Sequence, residues 1–260
     1  MTSQTVAPVS ARALEPLFHP SGADDRSSHA HRQLIGILGL VLPGLLWLMA
    51  VWRPTEALPR LQPLSSVSAY YYTGAVAAFV GILIALAVFL FTYRGYDNVH
   101  GRRDRVAAVV AGGAAVVVAL FPTAAPAGLS APSWWTLRTG TIHYASAVVL
   151  FGAFIYFSLF LFPKSNVRDG ASLPGDKRVR NRIYIVCGGA MVACILWAGG
   201  ALYAGRPIFW PEALALEFFA VSWLVKGRAD RTAVTAVARA LHYGRHPSQL
   251  VGRLSGPTRG

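Results

Sequence analysis

Residues 142–162 read IHYASAVVLFGAFIYFSLFLF, a run that contains no Asp, Glu, Lys or Arg. A transmembrane helix needs about 20 predominantly apolar residues, and this run is long enough to supply them. Five comparable apolar runs lie before and after it, at 33–52, 69–91, 106–121, 183–203 and 208–225. The sequence therefore predicts an all-α fold, a polytopic membrane bundle with six transmembrane helices.

The composition agrees with this fold class. Hydrophobic residues make up 54% of the chain and charged residues only 13%, whereas soluble domains average about 25% charged residues. The net charge of +13 attracts either nucleic acid or anionic lipid. Because the basic residues flank apolar runs and form no stripe with interleaved aromatic residues, we expect membrane lipids as partners and no nucleic acid.

Lys and Arg are concentrated in alternate segments of the chain. Of the 24 Lys and Arg residues, three lie before the first run, four in the second connection, six in the fourth connection and seven after the last run. Basic residues favour the cytoplasmic side of a membrane. We therefore expect a multi-pass protein of the cytoplasmic membrane with both termini in the cytoplasm.

The same pattern divides the chain into four expected segments: a cytoplasmic N-terminal segment 1–32, a six-span bundle 33–225, a cytoplasmic amphipathic helix 226–246 and a disordered tail 247–260. In the third segment, polar and basic residues, including Arg231 and Arg239, share one half of the helical circumference. This pattern favours a helix lying on the lipid surface, with Arg231 and Arg239 as lipid contacts. A mobile tail is the alternative.

Glu217 is the most informative polar residue, because it lies deep inside the last apolar run. An ionised acid at the centre of a membrane costs roughly 2.5 to 3.5 kcal/mol, so Glu217 should be protonated, paired or facing a polar cavity. Other polar residues lie near the outer ends of the runs: His143, Glu212, Ser146, Ser68 and Tyr70. One hypothesis is a binding pocket open to the outside, with Glu217 at its floor. The alternative is that Glu217 joins helices by hydrogen bonding while His143 lies at the headgroup level.

Sequence motifs for cofactors, metals or catalysis are lacking. The chain has no phosphate-binding glycine loop, nucleophile elbow or paired cysteine ligands. His242 and His246 have the spacing of a helical zinc site, but no acid accompanies them and Pro247 follows directly. We therefore predict no cofactor, no metal and no catalytic residue, and leave open whether the protein is an enzyme.

The expected role is that of a lipid-interacting protein or a partner subunit in a membrane complex. A small-solute or proton-coupled transporter and a lipid-modifying membrane enzyme are the alternatives. A transporter would need a continuous polar path, yet few ionisable residues other than Glu217 lie inside the runs. The outward-facing pocket is the site hypothesis common to all of these roles.

Several strings carry a resemblance to known proteins: SVSAYYYT (66–73), FTYRGYD (91–97), ALFPT (119–123), IHYASA (142–147), YFSLFLF (156–162) and RNRIY (180–184). Together they resemble an uncharacterised bacterial six-helix integral membrane protein group, which is distantly similar to DRAM/Frag-type membrane proteins. The resemblance covers roughly residues 30–227 and implies a bacterial inner membrane. It implies no catalytic residues. Membrane zinc hydrolases of the ceramidase type are less similar, because only His143 lies at a span here.

Overall fold

The computed structural model of the chain describes residues 22–52, 62–93, 101–164 and 175–228. These residues form six α-helices: α1 (Gly22–Trp52), α2 (Val76–Thr92), α3 (Gly101–Leu120), α4 (Leu137–Tyr156), α5 (Gly175–Tyr203) and α6 (Phe209–Lys226). No strand occurs within the described ranges. The predicted all-α bundle is confirmed for this part of the chain.

The helices form a closed ring. Each helix packs against the next one in sequence, and α1 packs extensively against α6, which closes the ring between the first and last helices. α4 also contacts α6 across the interior. The centre is filled by large apolar side chains, among them Leu46, Phe79, Phe154, Phe219 and Trp223. The apolar runs thus supply both the core and the outer surface of the bundle.

Successive helices run in opposite directions, so the bundle has two distinct ends. His31 Nε2 of α1 donates to the Phe89 carbonyl near the end of α2 over 2.7 Å. Gln33 Nε2 donates to the Gly227 carbonyl just after α6 over 2.8 Å. We call this the basic end, because Arg32, Arg102, Arg103, Lys177 and Lys226 lie there. The connections 62–75, 121–136 and 204–208 form the opposite end.

Three helical stretches are long and apolar enough to cross a bilayer: Ser28–Val51, Leu137–Leu161 and Lys177–Tyr203. α2 is apolar but has only 17 residues, while α3 and α6 carry charged residues in their terminal turns. Large apolar side chains are exposed around the outside of the bundle, including Leu48, Val148 and Leu196. Apolar helices of this length with apolar outer faces are the features of a membrane protein.

The second helix begins later than the sequence predicts. The expected run starts at residue 69, but Ser68–Tyr72 forms a 3₁₀ helix and α2 begins only at Val76. Thr73 has an extended backbone conformation, and its Oγ1 donates to the Tyr70 carbonyl and accepts the Ala75 N–H over 2.8 and 3.1 Å. This local side-chain bonding competes with the helix and separates the two elements.

The fourth helix begins earlier than predicted, at Leu137 and not at residue 142. Thr136 Oγ1 accepts the N–H of Thr139 over 3.4 Å, while Thr139 Oγ1 accepts the N–H of Thr136 over 3.2 Å. This reciprocal capping box satisfies two N–H groups that the first turn would otherwise leave without partners. At its other end α4 continues into a π-helical turn, Phe157–Leu161.

Three predicted segments lie partly or wholly outside the described residues. α1 begins at Gly22, so the last part of the predicted N-terminal segment 1–32 is helical and continuous with the first apolar run. The predicted amphipathic helix 226–246 overlaps the last residue of α6, Lys226, and a turn at 227–228. Its remainder, with Arg231, Arg239 and the histidine pair at 242 and 246, lies outside the described ranges, as does the tail 247–260.

Candidate functional site

A chain of hydrogen bonds joins three elements at the opposite end of the bundle. His143 of α4 is only 2% exposed. Its Nδ1 lies 2.6 Å from the carbonyl oxygen of Phe121, and its Nε2 lies 2.9 Å from Ser68 Oγ. Because a carbonyl oxygen can only accept, Nδ1 carries the proton. In the neutral ring Nε2 is then an acceptor, and it receives the hydroxyl proton of Ser68.

Glu212 in the first turn of α6 holds the neighbouring residue in place. Its Oε2 accepts the N–H of Val67 over 2.7 Å, and Val67 directly precedes Ser68. The N–H groups of Ile208 and Phe209 both donate to the Ser65 carbonyl, over 2.6 and 3.0 Å. The start of α6 is therefore docked on the segment that carries Ser68, and this segment cannot shift without breaking contacts to both α4 and α6.

A small cavity of about 40 Å³ lies between these elements. Its polar lining comes from Ser68 and Glu212, and the remaining lining is apolar: Leu42, Val67, Phe79, Leu83, Val118, Ala147, Leu150, Phe151 and Leu216. A water molecule needs about 10 to 15 Å³ of such space. The cavity therefore has room for a few non-hydrogen atoms, with hydrogen-bonding groups on only part of its wall.

Tyr70 completes the polar neighbourhood without lining the cavity. Its hydroxyl accepts the Leu64 N–H over 3.3 Å, and its ring lies 5.9 Å from that of Phe209. Burial raises the pKa of the Tyr70 phenol above its ordinary value, and the hydrogen bond from Leu64 offsets this only in part. Tyr70 is thus a neutral side chain that braces the segment containing Ser68 against α6.

The structure brings Ser68, His143 and Glu212 together, but it places Glu217 and Ser146 elsewhere. Neither of these two side chains lines the cavity. Glu217 is half-buried and makes no side-chain hydrogen bond within the described ranges. Because Glu217 follows Glu212 by five residues, it projects from a different face of α6. The floor of the cavity is accordingly apolar, and the acid at its wall is Glu212.

A second polar cluster at the basic end was not singled out from the sequence. Arg32 and Lys226 are both buried. Lys226 Nζ donates to the Phe162 carbonyl over 3.2 Å and lies 5.0 Å from the centre of the Phe162 ring. Arg32 Cζ lies 5.8 Å from the centre of the Tyr93 ring. The available signal was that these basic and aromatic residues all lie near the ends of the apolar runs.

Within the part of the chain that the structure describes, no three His, Cys, Asp or Glu side chains are grouped so that they could hold a metal ion. Comparison with known protein families, curated proteins and solved structures finds no match for this chain. The resemblance to the bacterial six-helix group therefore stays a prediction.

Proposed function

We propose that the chain is an integral membrane protein in which all six helices span the bilayer and the basic end faces the cytoplasm. Three spans have the required length and apolarity by themselves. The other three helices pack side by side with them in one ring, which supports a common membrane environment. The Lys and Arg residues at one end support its cytoplasmic orientation.

Cysteine labelling tests this topology. In a background lacking Cys187 and Cys194, Ser172→Cys places a thiol in the connection between α4 and α5, and Ser130→Cys places one between α3 and α4. We expect a membrane-impermeant maleimide to label Ser130→Cys but not Ser172→Cys in right-side-out spheroplasts. Detergent should make both sites reactive. Labelling of Ser172→Cys before detergent is added would contradict the proposed orientation.

For the opposite-end cavity we propose that it receives only the small hydrogen-bonding end of a lipid-like molecule, since about 40 Å³ holds no more than a few non-hydrogen atoms. The observation that carries this proposal is the juxtaposition of Ser68 and Glu212 on an otherwise apolar wall. A mostly apolar lining with a few oriented polar groups is also the lining of small-ligand pockets, although this cavity is much smaller than such pockets. The Ser68 oxygen retains acceptor capacity after donating to His143, so it can receive a hydrogen bond from a ligand.

Removing either polar group should reduce ligand retention. We expect mass spectrometry of the purified protein to detect a copurified lipid-like species whose amount falls about twofold to tenfold in Ser68→Ala and in Glu212→Ala, since one hydrogen bond contributes about 0.5 to 1.5 kcal/mol. Ser146→Ala is the matched control, because Ser146 lies on the same helix as His143 but does not line the cavity. Equal retention in all four proteins would rule out binding at this cavity.

The Ser68–His143 pair favours a second candidate function, acyl transfer by a lipid-modifying enzyme. A serine hydroxyl that donates to a histidine oriented by a backbone carbonyl has the arrangement of a nucleophile and its general base. Treatment of the same preparation with a fluorophosphonate separates the two functions. Covalent modification at Ser68, abolished in Ser68→Ala, would favour the enzyme, whereas an unreactive Ser68 with retained lipid favours the binding protein.

A further inference from the structure

A groove of about 420 Å³ runs between α3 and α4, and none of its lining residues lines the cavity at Ser68. Its volume falls within the range of small-molecule sites, about 300 to 1,000 Å³. Most of its lining is apolar or small: Val106, Ala107, Val110, Val149, Gly152 and Ala153. Val106, Val110 and Val149 are all exposed on the outside of the bundle, so the groove opens towards the surroundings of the protein and not into its core.

One end of this groove is strongly basic. Arg102 and Arg103, in the first turn of α3, line it together with Tyr156 at the end of α4. Both arginine side chains are exposed. Among the described residues that line the groove there is no Asp or Glu. The neighbouring Asp104 is buried within the bundle, so its carboxylate projects away from the groove face that carries Arg102 and Arg103.

We propose that this groove binds one anionic phospholipid, with an acyl chain along the valines and the phosphate against Arg102 and Arg103. The apolar walls match a hydrocarbon chain, and guanidinium groups bind phosphate oxygens in bidentate geometry. The order of these features matches that of a phospholipid in the cytoplasmic leaflet. The inference rests on the proposed membrane position of α3 and α4, but not on the ligand of the Ser68 cavity.

Gly152 offers a way to block the groove without damaging the fold. A Cβ atom at Gly152 would meet no other atom within 4 Å, so Gly152→Leu adds its side chain to open space in the groove. Gly189→Leu is the matched control, because Gly189 of α5 is equally open and does not line the groove. For the charges, the double variant Arg102→Gln/Arg103→Gln is compared with Arg178→Gln/Arg182→Gln, whose arginines are exposed near the start of α5.

The test uses the full chain in nanodiscs of equal phosphatidylglycerol and phosphatidylcholine, with retained lipid measured by native mass spectrometry after release. We expect the wild type to retain phosphatidylglycerol preferentially. The double variant Arg102→Gln/Arg103→Gln should reduce this preference, by about fivefold for each arginine removed. Gly152→Leu should abolish the retention of phosphatidylglycerol. Gly189→Leu and the Arg178/Arg182 variant should behave like the wild type.

Two results would overturn the proposal. Equal losses in the two double-arginine variants would show a general attraction of basic residues to the anionic lipid, and undiminished retention in Gly152→Leu would show that the groove is empty. Ser68→Ala is expected to retain phosphatidylglycerol normally. The two proposals can therefore fail separately. The arginine and Gly152 variants test the groove through phosphatidylglycerol retention, whereas Ser68→Ala tests the cavity through the copurified lipid-like species.

Discussion

Replacing Trp223 by alanine is expected to destabilise the folded bundle by about 3 to 5 kcal/mol. The Trp223 side chain is fully buried. Its ring lies 5.1 Å from Tyr93, 5.3 Å from Phe157 and 5.1 Å from Phe162, measured between ring centres. These rings come from the end of α2 and from the turn after α4, so one side chain of α6 joins three parts of the bundle.

The physical origin of this loss is packing. In a bilayer the surrounding lipid is as apolar as the core, so transfer from water contributes little to the association of helices, and close contact contributes most. Removing the indole ring leaves a cavity, and the atoms that line it lose their contact partners. We therefore expect the unfolding temperature of Trp223→Ala, measured by circular dichroism in detergent, to be about 10 °C below that of the wild type.

Trp210→Ala is the matched control for this prediction. Trp210 lies on the same helix, but it is 55% exposed. Its removal leaves no buried cavity, so we expect a change in stability within about 0.5 kcal/mol. Equal shifts in the unfolding temperatures of the two variants would mean that the aromatic contacts of Trp223 do not stabilise the bundle.

Replacing Gly36 by leucine is expected to separate α1 from α6 and to lower the free energy of unfolding by about 1 to 3 kcal/mol or more. A Cβ at Gly36 would lie 2.8 Å from Leu224 Cγ, 3.0 Å from the Leu224 backbone nitrogen and 3.1 Å from the Ala220 carbonyl oxygen. Two of these three atoms belong to the backbone of α6. A change of rotamer cannot relieve such a clash, so the helices themselves must move apart.

Gly44→Leu separates this effect from helix propensity. Gly44 lies on the same helix, and a Cβ there would meet no atom within 4 Å. Both substitutions replace glycine by a better helix former, so only the contact with α6 differs. We expect Gly44→Leu to elute from a size-exclusion column and to unfold like the wild type in detergent. For Gly36→Leu, a smaller fraction of the protein should elute in the monodisperse peak. Wild-type behaviour of Gly36→Leu would contradict the close packing of α1 on α6.

The order and the approximate positions of the six helices could be predicted from the apolar runs, because helix formation in an apolar segment depends on the segment itself. The residues at which the helices begin were harder to predict from the sequence. The run at residue 69 continues into α2 by composition, yet Thr73 breaks the helix through bonds to its own backbone neighbours. The start of α4 was also predicted incorrectly, because Thr136 and Thr139 cap the helix and extend it to residues before the apolar run.

The residues of the candidate site could be predicted only in part from the sequence. Ser68, His143 and Glu212 each lie near the same end of their elements, which made a common pocket a reasonable hypothesis. Glu217 had the stronger sequence signal because of its depth, but depth alone does not determine which neighbour a helix face meets. The angular offset from Glu212 places Glu217 away from the cavity wall.

Apolar length and the distribution of charge are local properties of the chain, and they were sufficient to predict a helical membrane bundle with one basic end. The contacts between helices are not local. The hydrogen bond from Ser68 to His143 joins residues that are 75 positions apart, and the groove beside Arg102 exists only because small residues of α3 and α4 face each other. Such pairings depend on helix rotation and packing, which no single segment encodes, so only the folded bundle reveals them.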